Sequence, residues 1–343
     1  MNKFSIGVDL GGTNLRVAAV DEQGLLLEKV TLETKVSRGR DYTIGIMCDA
    51  IRQMAAKYAS SAPLMGIGIG VPGIIDMQTG VVREAENLSG WKDYPAAADI
   101  GRRLEMAVIL ENDANVAALG EQWLGAAKDY LDMAMLTLGT GVGGGLVLGG
   151  AIWRGANGMA GEFGCATVEP EGPMCGCGNR GCLEQYASAP AVLRMAREAI
   201  ASNGDSPLAR AAQSDPEFGA KSIYNLAIQG DEEARRIFRY VGRCLGIVLS
   251  TLVSSLNLPI YVIGGGVSSA WDLFAPSIFE ELRARSMVYA ATAPDHPTSG
   301  KHGASALVEA GPGPKTIITR ALLGSDAGLY GAARLAMIAD ARR

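Results

Sequence analysis

Four of the six cysteines fall in one stretch, Gly161–Ser188 (GEFGCATVEPEGPMCGCGNRGCLEQYAS): Cys165, Cys175, Cys177 and Cys182. The gap between Cys175 and Cys177 is too tight for an easy disulfide, because that bond needs well-separated, facing Cβ atoms. It suits thiolates converging on one cation, since a tetrahedral Zn²⁺ takes four sulfurs at roughly 2.3 Å. Gly176, Gly178 and Gly181 between them allow the backbone turns that aim each sulfur inward. Glu162 precedes the first cysteine by three residues and Glu184 follows the last by two. A metal staple would hold these two carboxylates in fixed positions, where they suit a polar ligand. The plainer alternative is a structural knot with solvated glutamates, or a loop of free thiols.

A second kind of chemistry is written in glycine. Asp9-Leu10-Gly11-Gly12-Thr13-Asn14 ends a strand-like run. Its glycines let backbone N–H groups approach phosphate oxygens, and the Thr13 and Asn14 side chains add donors. Asp9 is placed to hold Mg²⁺, directly or through water. Gly139-Thr140-Gly141 repeats the design after a second apolar run, and Gly264-Gly265-Gly266 ends a third, where bare backbone suits a flat base or ribose. Neither of the first two is a P-loop, for no Gly-Lys-Ser/Thr follows. An ordinary glycine hairpin is the alternative for each alone.

Glu111-Asn112-Asp113-Ala114-Asn115 sets Asp113 where a strand gives way to a helix. The helix dipole favours an ionised carboxylate there, and such a group facing an alcohol is the usual general base for phosphoryl transfer. Asn112 beside it can hold neighbouring hydroxyls; simple helix capping is the alternative. Both histidines, His296 and His302, lie in the Pro-, Gly- and Ser-rich segment Thr292–Pro314, so a Ser–His or Cys–His nucleophile is not expected.

The elements needed to carry these residues are an α/β set. Strands are expected at Phe4–Leu10, Leu15–Val20, Leu25–Thr34, Leu64–Val71 and Val108–Glu111, with helices at Tyr42–Tyr58 and Ala114–Leu124. The order then recurs with strands at Asp132–Leu138, Gly143–Leu148 and Ala151–Arg154, helices at Pro190–Ala201, Ser222–Gln229 and Glu232–Leu256, and a strand at Pro259–Ile263. Two halves that each open strand, glycine turn, strand suggest a duplication. Asp326–Ala339 ends the sequence as an alanine-rich amphipathic helix.

Bulk composition narrows the function classes. The 343 residues are 48% hydrophobic and 20% charged, ample for one large or two medium domains. A net charge of −5 argues against a general nucleic-acid binder. No apolar run approaches the roughly 20 residues of a membrane span, and the N-terminus reads as a strand rather than a signal peptide. Clustered cysteines fit a reducing cytoplasm with a metal site, while Cys48 and Cys244 sit alone in helical patterns as core residues.

Taken in order, DLGGTNLR, GVPGIID, ENLSGW, ENDANVAALGE, LGTGVGGG, CGCGNRGCLE and VIGGGVS cover nearly the whole chain and resemble a sugar kinase of the ROK family, most of all its bacterial ATP-dependent glucokinases. The CxCGxxGCxE knot, met here by Cys175 through Glu184, is highly specific to that family. The resemblance implies a two-domain actin-like ATPase (ribonuclease H-like) fold with a cleft between domains. A smaller N-terminal domain would span 1–112, completed by a helix at about 325–343, and a larger one carrying the knot would span 113–324. It implies ATP and Mg²⁺ as cofactors, structural Zn²⁺ on Cys165, Cys175, Cys177 and Cys182, and Asp113 as the base at the 6-hydroxyl of a hexose, glucose first. Asn112, Glu162 and Glu184 would bind sugar hydroxyls, with Gly73 and Asn87 as further candidates. Gly11, Gly12, Thr13, Gly139, Thr140, Gly141, Gly265 and Gly266 would line the nucleotide. A cytoplasmic homodimer with no nucleic-acid or membrane partner is expected. The family's repressors carry an added DNA-reading helix pair, for which a hairpin starting at Asp9 leaves no room. The alternatives are a kinase for N-acetylmannosamine, N-acetylglucosamine, allose or fructose, polyphosphate as donor, or a sugar sensor without catalysis.

One position departs from the family. Its kinases typically read Gly-Glu-x-Gly-His, with the histidine on zinc and its other nitrogen toward the sugar, whereas this chain reads Gly161-Glu162-Phe163-Gly164-Cys165. Four cysteines still close a zinc site, but a metal-bound thiolate only accepts hydrogen bonds. Losing one net hydrogen bond of about 0.5–1.5 kcal/mol implies a several-fold weaker hold on the sugar. The added negative charge also disfavours anionic sugars. A different sugar filling the vacated space accounts for the change equally well.

Overall fold

The computed structural model describes residues 3–85, 87–294 and 314–341. The order opens with β1 (Phe4–Leu10), β2 (Asn14–Asp21), β3 (Leu26–Glu33), α1 (Arg40–Tyr58), β4 (Leu64–Val71), β5 (Ile74–Asp76), β6 (Val81–Glu84), α2 (Ala96–Leu104), β7 (Val108–Asn112) and α3 (Asp113–Leu124). It continues with β8 (Met133–Leu138), β9 (Val142–Leu148), β10 (Ala151–Ile152), α4 (Glu184–Ala187), α5 (Ala189–Ser202), α6 (Pro207–Ser214), α7 (Ala220–Gln229) and α8 (Glu232–Leu256). Then come β11 (Ile260–Gly264), α9 (Trp271–Arg285), α10 (Met287–Thr292), β12 (Ile317–Arg320) and α11 (Ala327–Asp340). The chain forms two compact units: Met1–Met135 with Gly145–Gly161 and Leu322–Arg343, and Leu136–Gly144 with Glu162–Ala321.

The first sheet runs β3-β2-β1-β4-β7, with β1, β2 and β3 antiparallel and β4 and β7 parallel to β1. The central strands are buried on both faces, as their continuous apolar runs require. Ile6, Val8, Leu10, Leu15 and Val17 share a core with Ile44, Met47 and Ile51 of α1. On another face, Ala18 and Val20 pack with Leu329, Ala333 and Met337 of α11. That helix sits unusually close to the sheet: a Cβ on Gly68 would fall 1.9 Å from the Ala332 carbonyl oxygen.

The second sheet runs β10-β9-β8-β11-β12, the same spatial order as the first when its strands are counted from one. The duplication expected from the two strand–turn–strand openings is therefore present in the topology. Its fifth strand, β12, pairs parallel with β11 in register Ile260↔Ile317. Strand β12 has no clear signal in the sequence, because four residues cannot establish a period. Helix α9 is equally hard to read, since Pro276 lies inside it and proline normally argues against a helix interior. The β5/β6 hairpin is another such element, being only three and four residues long.

Two expectations change on the structure. Helix α8 has 25 residues and is long and apolar enough by composition to cross a membrane, contrary to the reading that no run comes near. Within the fold 61% of that apolar stretch is buried, which is the state of a core helix. Strand β10 stops at Ile152, so Arg154 belongs to the loop beyond it. Cys48 and Cys244 are buried in α1 and α8. His296 and His302 lie outside the described residues.

Candidate active site

In the first unit, β1 ends in Asp9 and Leu10 and the chain reverses into β2. Gly11 N–H donates to the Asn14 carbonyl at 2.9 Å, which closes the hairpin. Thr34 fastens it from β3's end: its hydroxyl donates to the Gly11 carbonyl at 2.7 Å and its N–H to the Thr13 carbonyl at 2.9 Å. Thr13 and Asn14 are exposed. Asn87 packs beside Gly12, whose added Cβ would lie 3.4 Å from that of Asn87. Asp9 accepts from Arg16 Nη1 at 2.9 Å. Burial pushes its carboxyl above the usual range, with Arg16 pulling the other way and Asp326 adding to the rise. A carboxylate that faces an acidic neighbour at the foot of a glycine turn suits a divalent cation.

The same unit holds the candidate base. Strand β7 pairs with β4 up to Val71↔Asn112, and α3 begins at the next residue. Asn112 is the helix cap: its Oδ1 accepts from the N–H groups of Ala114 at 2.9 Å and Asn115 at 3.2 Å. Its Nδ2 donates to the Gly73 carbonyl at 3.0 Å, which brings two of the sugar-binding candidates into direct contact. Asp113 is thereby the first helical residue rather than the cap, and its Oδ1 accepts from Ala114 N–H at 2.9 Å.

The second unit carries the other turn and the cysteines. Gly139 N–H donates to the Gly141 carbonyl at 2.9 Å, and Ala189 N–H to the Gly139 carbonyl at 2.8 Å. Glu184, the first residue of α4, reaches this turn: its Oε2 accepts from Val142 N–H at 3.0 Å. Its Oε1 accepts from the Cys175 thiol at 3.8 Å. Glu162 is near enough to Glu184 for mutual repulsion, and burial first, then that repulsion, pushes its carboxyl upward. Gly265 has φ 83°, and a Cβ there would lie 2.4 Å from the Leu138 carbonyl oxygen, so the third glycine turn rests on the end of β8. Gly266 opens the short helical turn that follows.

The sulfurs of Cys175, Cys177 and Cys182 lie within 4.8 Å of one another, and Cys177 Sγ is 3.6 Å from Cys182 Sγ. Cys165 lies outside that group of three, though near enough for Cys177 and Cys175 to act on its thiol. The knot is tied by backbone: Cys175 N–H donates to the Asn179 carbonyl at 2.8 Å and Gly181 N–H to the Pro173 carbonyl at 2.9 Å. Gly181 is required, since a Cβ there would sit 1.6 Å from the Glu169 carbonyl oxygen. Burial pushes the Cys165 and Cys182 thiols up to about 12, while the Asn179 backbone N–H leads the groups that hold Cys177 below its ordinary value. Three sulfurs grouped this way with Cys165 nearby, and no disulfide among the described cysteines, fit a thiophilic cation with the fourth expected ligand still outside the group.

Several supporting residues carry little signal in the sequence. Arg16 and Thr34 steady the first turn. Buried Glu111 pairs with partly exposed Arg154 beside Asn112, and Glu121 accepts from Ala126, Leu322 and Leu323 N–H groups between α3 and the approach to α11. Glu111 and Glu121 lie inside the ENDANVAALGE stretch; nothing marks Arg154.

A mixed-sheet pair of identical strand order, each with a glycine turn after its leading strand, is the actin-like ATPase (ribonuclease H-like) fold. The chain belongs to the ROK family, whose model matches residues 5–338. It is 38% identical to a glucokinase of Halalkalibacterium halodurans over 82% of this chain and 86% of that protein. It is 40% identical to a glucokinase of Thermotoga maritima over 79% of this chain and 84% of that one. Among solved structures, a ROK family glucokinase from Streptomyces griseus in complex with glucose and AMPPNP is 33% identical, covers 97% of this chain and 98% of its own, and superposes with a TM-score of 0.75.

Proposed function

We propose that the protein transfers the terminal phosphoryl group of ATP to the 6-hydroxyl of glucose, with Asp113 as the general base. It is an ATP-dependent sugar kinase of the glucokinase kind, a reading supported by its glucokinase relatives. The observation that carries the mechanism is the seat of Asp113 at the N-terminus of α3, next to the capping Asn112. There the helix dipole favours its charged form, which can accept a proton. As the sugar oxygen attacks the phosphorus, Asp113 takes the hydroxyl proton and ADP departs with the bond to its bridging oxygen broken. The backbone N–H groups at Gly11, Gly12, Gly139 and Gly141 hold phosphate oxygens, aided by Thr13, Asn14 and Thr140, while Gly265 and Gly266 give the nucleoside a flat backbone seat. Mg²⁺, when bound near Asp9, would offset the charge of the phosphates. Asn112, Glu162, Glu184, Gly73 and Asn87 hold the sugar. Zn²⁺ on Cys165, Cys175, Cys177 and Cys182 would fix the knot that carries Glu184. The enzyme works in the cytoplasm.

A coupled ADP-release assay over glucose, mannose, fructose, allose and the N-acetylhexosamines tests the reading, with metal analysis of the same preparation. Glucose is expected to be turned over best, and Asp113→Asn to lose about 10²–10⁴-fold in kcat. A wild-type rate in that variant, or no glucose-dependent ADP release, would overturn it.

A further inference from the structure

We propose that Glu111 and Arg154, neither of which is given a part in holding sugar or nucleotide, are positioning residues for the Asn112–Asp113 turn. The inference rests on Asp113 being the base. Glu111 is 1% exposed, and both its oxygens are engaged. Oε1 accepts from the backbone N–H of Asn112 at 3.0 Å and from Asn115 Nδ2 at 3.1 Å. Oε2 accepts from Arg154 Nε at 2.6 Å. A carboxylate this deep is costly unless paired, and an apolar side chain of similar size would serve stability as well or better. What the pair does supply is a fixed geometry. The residue before Asp113 is tied through its backbone N–H to Glu111, through its Nδ2 to Gly73, and through its Oδ1 to the first turn of α3. Asn115, on the next turn, is held by the same Glu111 oxygen. The peptide that carries the base can therefore shift only if the ion pair shifts.

Arg154 adds a second anchor. It opens a loop closed by a hydrogen bond from Ala160 N–H to the Arg154 carbonyl at 3.1 Å. That loop runs on in sequence to Glu162. One ion pair thus joins the base-bearing turn to the start of a segment that leads toward a sugar-binding candidate. Its guanidinium is partly open to solvent, with 33% of the side chain exposed, so small cations can reach its place when it is removed.

The test uses the full chain with glucose and Mg-ATP, and calorimetric glucose stoichiometry to count competent molecules. Arg154→Ala should lower kcat per competent molecule about 10–100-fold, because an ångström of misplacement at the reacting group costs that much. KM for ATP should stay within about twofold, whereas KM for glucose should rise with the displacement of Asn112 by a smaller factor than kcat falls. Arg154→Lys should recover part of the loss, and added guanidinium should partly restore Arg154→Ala. Should Arg154→Ala not fold, Arg154→Lys and Glu111→Gln carry the comparison with the same readout. An unchanged kcat per competent molecule, or a rate loss matched in full by lost binding stoichiometry, would overturn the proposal. Asp113→Asn run alongside separates the two claims: a wild-type rate there sinks the base assignment itself, whereas an inactive Asp113→Asn with unimpaired Arg154 variants sinks only the positioning role.

Discussion

The two glycine turns descend from matching sheet orders yet are held in different ways. The turn at Gly11–Asn14 is secured within its own sheet, by Thr34 from the neighbouring strand and by the Asp9–Arg16 pair. The turn at Gly139–Gly141 is secured from outside, by the α4 carboxylate Glu184, which also touches the cysteine knot through Cys175. The first turn is thus self-sufficient. The second leans on Glu184 beside the cysteine knot, so if Zn²⁺ gathers those sulfurs as proposed, its loss should reach one turn and spare the other.

The sharpest break of that contrast is Cys182→Ser. It should abolish zinc binding and cost at least about tenfold in activity, with KM for ATP rising, while hydrogen-exchange protection around Thr34 and Gly11 stays as in the parent. Equal loss of protection at both turns would show that they are not independent. Asp9→Asn attacks the self-held turn and should cost about tenfold or more in kcat with bound zinc unchanged. The same residue sets a pH signature. Burial raises the Asp9 carboxyl, so on acidification it takes up its proton at a pH above the ordinary value of 3.8. Mg-ATP affinity should therefore weaken on the acid side earlier than an exposed aspartate would cause, and Asp9→Asn should flatten that limb. Glu184→Gln keeps an acceptor for Val142 N–H but makes it neutral, and a loss of about 1–2 kcal/mol in ATP and glucose affinity together is expected. An effect on glucose alone would sever the turn from the knot. Smallest is Cys165→His, which should restore a sugar-facing donor and tighten glucose several-fold, about 0.5–1.5 kcal/mol; weaker binding of every hexose would count against it.

Much of this was readable from the residues. The β1 and β4 runs are continuous and apolar, so their boundaries emerge directly, and the repeated strand–turn–strand opening announced the shared sheet order. The cysteine knot announced itself by spacing, and three of its sulfurs do gather. What stayed hidden depends on contacts far apart in the chain. Arg154 looks like any loop arginine until the fold brings it against Glu111, 43 residues away. Glu184 reads as a sugar ligand, and its grip on Val142 is invisible because 42 residues separate them. Strand β12 is too short to show a period and is recognisable only by its partner β11.

Helix α11 is made long after β1, β4 and α3, the elements it packs against. On the ribosome the nascent first sheet must therefore wait, its Ala18 and Val20 face bare, while the whole second unit is synthesised and can fold ahead of it. Chaperone dependence during translation should thus attach to the early half of this chain, and a stop codon shortly before residue 327 should send the product to proteolysis rather than leave a working fragment.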